Sequence, residues 1–147
     1  NKMVSAIPSL DILVNNAGMN LPEPFVNVTE ERLDRVMNLN VRSMFIVAQA
    51  ATRKMLDAAD RKQRGGAIVN ITSQMGHVGA ENRTVYCMTK HAIEGLTKAL
   101  AADQRHALDR VLLWNFSVVP QFTYGFLRSA RWDRFGPAPL PILSHDC

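Results

Sequence analysis

The sequence predicts an α/β protein in which a parallel sheet is layered with helices. Two observations predict it. Short continuous apolar runs, "LDILV" at 10–14 and "AIVNIT" at 67–72, alternate with longer segments of helical spacing. Each run then stops in small or polar residues, "NNAG" after the first and "TSQMG" after the second. Runs of this kind suit strands buried on both faces, as parallel sheets require. Their connections should be right-handed crossovers.

The elements follow in order. After the first strand comes a Pro-rich loop, "LPEPF". Thr29 then offers an N-cap oxygen, with Glu30 and Glu31 in the first turn, where negative charge suits the helix dipole. Leu33, Val36, Met37, Val41, Met44 and Phe45 follow at helical spacing. That helix should run to about Ala59 with a break near Asn40, and "RKQRGG" should end it. The second strand is rich in β-branched residues. A loop, "SQMGHVGAENR", leads into a helix whose apolar face is Ala92, Ile93, Leu96, Ala99 and Leu100. Ligands of such sheets bind off the carboxyl ends of the strands, so a site belongs beside "NNAG" and "TSQMG".

The composition narrows the function. A chain of 147 residues, 47% apolar and 20% charged, suits one folded domain. The net charge of +4 is mild, and "RKQR" at 61–64 reads as a solvated turn. No basic stripe interleaves with aromatics, so nucleic acid is not an expected partner. No apolar stretch approaches a membrane span, and the opening "NKMVSAIPSLD" lacks the layout of a signal peptide. Cys87 and Cys147 make no disulfide framework, and no Cys or His pair has zinc-ligand spacing. His77, His91, His106 and His145 read as isolated surface or helix-end residues. A reducing cytoplasm is the simplest home.

Four features carry chemistry. Tyr86 and Lys90 are four apart, so phenol and ammonium share one helix face. Ser73 ends the second strand, thirteen residues before Tyr86. "NNAG" would occupy the neighbouring strand end, with Asn40 in the helix between. Taken singly, each has an ordinary reading: a half-buried ring beside a solvated amine, a loop hydroxyl, a turn, a helix kink.

Together their order and spacing resemble the short-chain dehydrogenase/reductase family. The residues that carry the resemblance are "DILVNNAG" at 11–18, "NLNV" with Asn40, "AIVNITS" ending at Ser73, and "YCMTK" from Tyr86 to Lys90. The stretch "SQMGHVGAENRTVYCMTKHA" looks most like bacterial reductases and dehydrogenases of sugars, polyols and 3-oxoacyl groups. The resemblance implies a partial Rossmann-type, doubly wound parallel sheet and hydride transfer between NAD or NADP and a small-molecule alcohol or carbonyl. It implies that Tyr86 is the acid/base. A free phenol titrates near about 10, too high for a base at neutrality, and a nearby ammonium favours the phenolate. By the same resemblance Lys90 also binds the nicotinamide ribose, Ser73 holds and polarises the substrate oxygen, and Asn40 supports a water-linked proton path to Lys90. Asn16, Ala17 and Gly18 would contact the cofactor, where small residues let the backbone approach closely.

Two departures are expected to matter. Family members begin with a strand, a Gly-rich turn and a helix that hold the pyrophosphate, and only ten residues precede "DILV" here. The N-terminal strands of the sheet are therefore expected to be lacking. Residues 1–103 read as a partial NAD(P)-binding domain, and 104–147 as a divergent tail without family resemblance. That tail has no Lys or Glu after Arg110 but holds both Trp residues, as an altered reading frame or a divergent splice end would. Within it "VLLWNFSVV" could form a strand and "GPAPLP" should be extended. An open strand edge makes a homo-oligomer an expected outcome. The alternative to an enzyme is a truncated, non-catalytic fragment that cannot bind cofactor on its own.

Overall fold

The computed structural model describes Val4, residues 6–104 and the strand at 110–116. Strand β1 (Ile12–Asn15) leads through a loop to helix α1 (Glu30–Met37), a π-helical turn (Asn38–Ser43) and helix α2 (Met44–Leu56). A short helix α3 (Arg61–Arg64) precedes strand β2 (Ala67–Ser73), helix α4 (Thr84–Asp103) and strand β3 (Arg110–Phe116). The strands form one parallel sheet in the order β1-β2-β3, with Ile12 opposite Ala67 and Ala67 opposite Arg110. The strand expected in "VLLWNFSVV" is thus present through Phe116; "GPAPLP", His106 and His145 lie outside the described residues.

Local chemistry explains the boundaries. Thr29 Oγ1 accepts from the Arg32 amide at 3.3 Å, capping α1 as its position suggests. The break expected near Asn40 is the π turn, and Ser43 Oγ donates to the Leu39 carbonyl inside it. Helix α2 ends at Leu56, three residues short of the expected Ala59.

Among the described residues, helices cover the sheet on one face only. Leu13 and Ile68 pack with Met55 of α2 and Leu100 of α4 around the core. On the other face Ile12 and Val14 are 63% and 56% exposed, which corrects the expectation of burial on both faces. The reason is placement: α2 and α4 both lie over the side that carries Ile68, Asn70 and Thr72.

That side is also more polar than its strand pattern suggests. Asn15 Nδ2 donates to Asn70 Oδ1 at 2.9 Å across the β1–β2 pair, and Asn70 Nδ2 donates to Thr97 Oγ1 at 2.7 Å. Helix α4 therefore buries Thr89, Lys90, Glu94 and Thr97 beside Ile93, while Ala92 and Ala99 of the expected apolar face are exposed. Buried strand amides need polar partners, and this outweighs the apolar stripe.

Nor is "RKQR" simply a solvated turn. Arg61 is 4% exposed. Its guanidinium donates to the carbonyls of Met55 (2.7 Å), Leu10 (2.9 Å) and Gly65 and to Asp11 Oδ1 (3.2 Å), while Arg64 stays exposed. A planar five-donor fork fits this cluster of acceptors, joining the end of α2 to the entry of β1.

Candidate active site at the carboxyl ends of the strands

Asn16, Ala17 and Gly18 follow β1 directly and are exposed. Asn40 is 1% exposed in the π turn and clamps the next residue of that loop. Its Oδ1 accepts from the Met19 amide and its Nδ2 donates to the Met19 carbonyl, both at 2.8 Å. The same Nδ2 donates to Thr89 Oγ1 at 3.1 Å, and Thr89 Oγ1 donates to the Tyr86 carbonyl at 2.8 Å. The chain Met19–Asn40–Thr89–Tyr86 thus joins the loop after β1 to the first turn of α4. Thr89 was not singled out from sequence. It stands inside "YCMTK", but a partner 49 residues away leaves no local pattern.

Tyr86 is half-buried and Lys90 buried on the same face of α4, as their spacing predicts. Lys90 Nζ lies 5.4 Å from the centre of the Tyr86 ring and donates to the Ile71 carbonyl at 3.1 Å. Burial pulls the Lys90 ammonium below its usual titration range. One hydrogen bond uses one of its three donors, which leaves two for a bound group.

Gly18 completes the corner. A Cβ there would stand 3.4 Å from Asn40 Oδ1 and 3.9 Å from Lys90 Nζ. Gly18 therefore packs at van der Waals distance against Asn40 and beside the Lys90 ammonium. Exposed backbone at 16–18, a buried ammonium with spare donors and a half-buried phenol together fit the ribose and ring of a nicotinamide cofactor.

Ser73 reaches this group through the strand. It ends β2, two residues beyond the Ile71 carbonyl, and its Oγ accepts from the Met75 amide at 3.3 Å. Its hydroxyl hydrogen remains available to donate. Among the described residues no hydrogen bond joins Ser73 to Tyr86, or Asn40 to Lys90. No helix among the described residues is long and apolar enough to cross a membrane.

Comparison with known proteins places the chain by sequence and fold. The short chain dehydrogenase family matches residues 1–112, past Asp103 and into β3. L-xylulose reductase of Mesocricetus auratus is 39% identical over 100 residues, which cover 68% of this chain and 39% of that protein. The 3-oxoacyl-[acyl-carrier-protein] reductase of Staphylococcus aureus is 38% identical over 102 residues, 69% of this chain and 39% of the relative. Among solved structures, a gluconate 5-dehydrogenase from Burkholderia cenocepacia in complex with NADP and tartrate superposes with a TM-score of 0.67 at 29% identity. That likeness covers 78% of this chain and 44% of the other. The chain thus spans about two fifths of the length of its relatives, and its fold is a partial Rossmann-type parallel sheet. By sequence and fold, this chain belongs to the short-chain dehydrogenase family.

Proposed function

We propose that the chain carries the catalytic centre of an NAD(P)-dependent oxidoreductase that interconverts a small-molecule alcohol and carbonyl. The single observation that supports it most is Lys90, a buried ammonium 5.4 Å from the Tyr86 ring and beside Gly18. In reduction, the Tyr86 hydroxyl gives its proton to the substrate oxygen as charge develops there. Lys90 stabilises the phenolate left behind and donates to the ribose hydroxyls. Ser73, accepting from Met75, turns its own hydrogen toward the substrate oxygen. Asn40 holds the loop after β1 against the Tyr86 turn through Met19 and Thr89, and supports the water-linked proton path to Lys90. Bound nicotinamide, in either the NAD or the NADP form, supplies or accepts the hydride. Asn16, Ala17 and Gly18 form its backbone contacts.

The test is cofactor-dependent reduction of sugar and 3-oxo substrates by the product of the whole gene. Turnover with NADH or NADPH is expected, and its absence with both would overturn the reading. The exposed Ile12 and Val14 favour a second reading for the 147-residue chain alone, namely that it binds cofactor too weakly to turn over. Calorimetric titration with each dinucleotide decides this. A micromolar dissociation constant from a monomer would reject it.

A further inference from the structure

Glu94 is a carboxylate that the proposed reaction does not use. It sits one helical turn beyond Lys90 and is 4% exposed. Its Oε1 is buried with no hydrogen-bond partner among the described residues, although His77 Nε2 stands 3.4 Å away. Burying a carboxylate with so little compensation is costly, so its place must be set by something more than its own stability.

The surroundings indicate what it does. Gly76 is buried against it: a Cβ there would fall 3.0 Å from Glu94 Cγ, 3.1 Å from Glu94 Oε1 and 3.0 Å from Thr72 Oγ1. Gly76 closes the turn Gln74–Gly76 that follows Ser73. Within that turn the Met75 amide donates to Ser73 Oγ, and the His77 and Val78 amides donate to the Gln74 carbonyl at 2.9 and 3.2 Å. Thr72, at the other end of the same segment, is tied to the Lys90 carbonyl at 3.4 Å. The segment Thr72–His77 therefore lies along α4, with Lys90 at one end and Glu94 at the other.

We propose that Glu94 is a positioning residue for the Ser73 hydroxyl, acting through His77 and the close seat it provides for Gly76. This rests on the proposed role of Ser73. His77 meets the carboxylate from the turn, and Gly76 fits beneath it, so the turn has one place to lie on α4. Because the Met75 amide occupies one lone pair of Ser73 Oγ, the setting of the turn also sets where that hydroxyl points.

Hydrogen exchange on this chain reads the turn directly. In Glu94→Ala, exchange at the Met75, His77 and Val78 amides should rise by about tenfold or more, while the β2 amides keep their protection. Glu94→Gln keeps an acceptor for His77 and the packing on Gly76, so it should restore most of that protection. Unchanged exchange at 75–78 in the Ala variant would overturn the proposal.

In the active enzyme, Glu94→Ala should lower kcat by about tenfold to a hundredfold through misplacement of Ser73. Cofactor affinity should be unaltered, and Gln should recover kcat. Wild-type kcat in the Ala variant would also overturn it. If the unmodified enzyme shows no reduction, the functional reading fails, and the exchange measurement still decides whether Glu94 sets the turn.

Discussion

Lys90 Nζ and the Tyr86 ring lie 5.4 Å apart on consecutive turns of α4, and the same nitrogen donates to the Ile71 carbonyl of β2. The ammonium is thus held by the strand and faced by the ring, close enough for a cation–π contact. A freely solvated lysine would hold neither position.

Tyr86→Phe keeps the ring over Lys90 and removes the proton donor. Turnover of the active enzyme should fall by at least about a hundredfold, the lower end for lost acid–base catalysis. Cofactor affinity should barely change. Near-normal turnover in a steady-state assay of the Phe variant would remove Tyr86 from the mechanism.

For Lys90 the sign of the stability effect is opposite to intuition. Burial lowers its folded-state pKa below the usual value of about 10.4. Between the lowered value and about 10.4 the unfolded chain binds more protons, so folding stability rises with pH across that window. Below the window the buried charge is a net cost. Lys90→Met should abolish this rise and leave the fold at least as stable near neutrality, while turnover and cofactor affinity fall. Urea unfolding at a series of pH values measures it, and an unchanged pH dependence would count against the effect.

The amide relay from Asn15 through Asn70 to Thr97 is fully buried at its centre, where Asn70 is 0% exposed. Asn70→Ala strands the Asn15 donor and takes a partner from Thr97. Denaturant unfolding should show a loss of about 2 kcal/mol or more, within the range for buried polar groups left unpaired. An Asn15/Asn70 double-mutant cycle should show coupling, because either change alone already breaks the pair.

Two glycines of one loop should respond in opposite ways. Gly76→Ala drives a methyl into Glu94 and Thr72, and should cost about 1–3 kcal/mol. Beyond its chain neighbours, a Cβ at Gly79 would meet open space among the described residues, so Gly79→Ala should be neutral or stabilise by up to about 1 kcal/mol. Thermal melts of the two variants side by side make the comparison.

The elements were legible from sequence because strand runs, the Thr29 cap and the polar strand ends are local signals. The pairing of Tyr86 with Lys90 was legible for the same reason, since four residues on a helix set a fixed geometry. Arg61, Glu94 and the Asn15–Asn70 pair were not. Each is a polar residue buried by partners far along the chain, such as Leu10 for Arg61 and Asn15 for Asn70, 51 and 55 residues away. A hydropathy pattern sorts residues by type, whereas Arg61 and Asn70 are buried by hydrogen bonds that form only once the strands align, and Glu94 by the Gly76 turn packed on it. The bare sheet face escaped for another reason. A continuous apolar run records that both faces are made to be covered, without recording which element covers each.

The π turn has a consequence for phase along the chain. From α1 to α2 the buried positions are Val36, Asn40, Met44, Ala48, the adjacent pair Ala51 and Thr52, and Met55, five turns of one stripe. That stripe advances more slowly than the 3.6 residues of an α-helical turn, so a continuous α-helix would let it drift around the axis. The wider turn at Asn38–Ser43 takes up the extra residue and keeps the stripe straight. Without the extra residue the stretch from Val36 to Met55 would close as about five ordinary α-helical turns, so the helices on either side would keep their phase. The loss would fall on the turn itself, whose width is where Asn40 meets Met19 and Thr89.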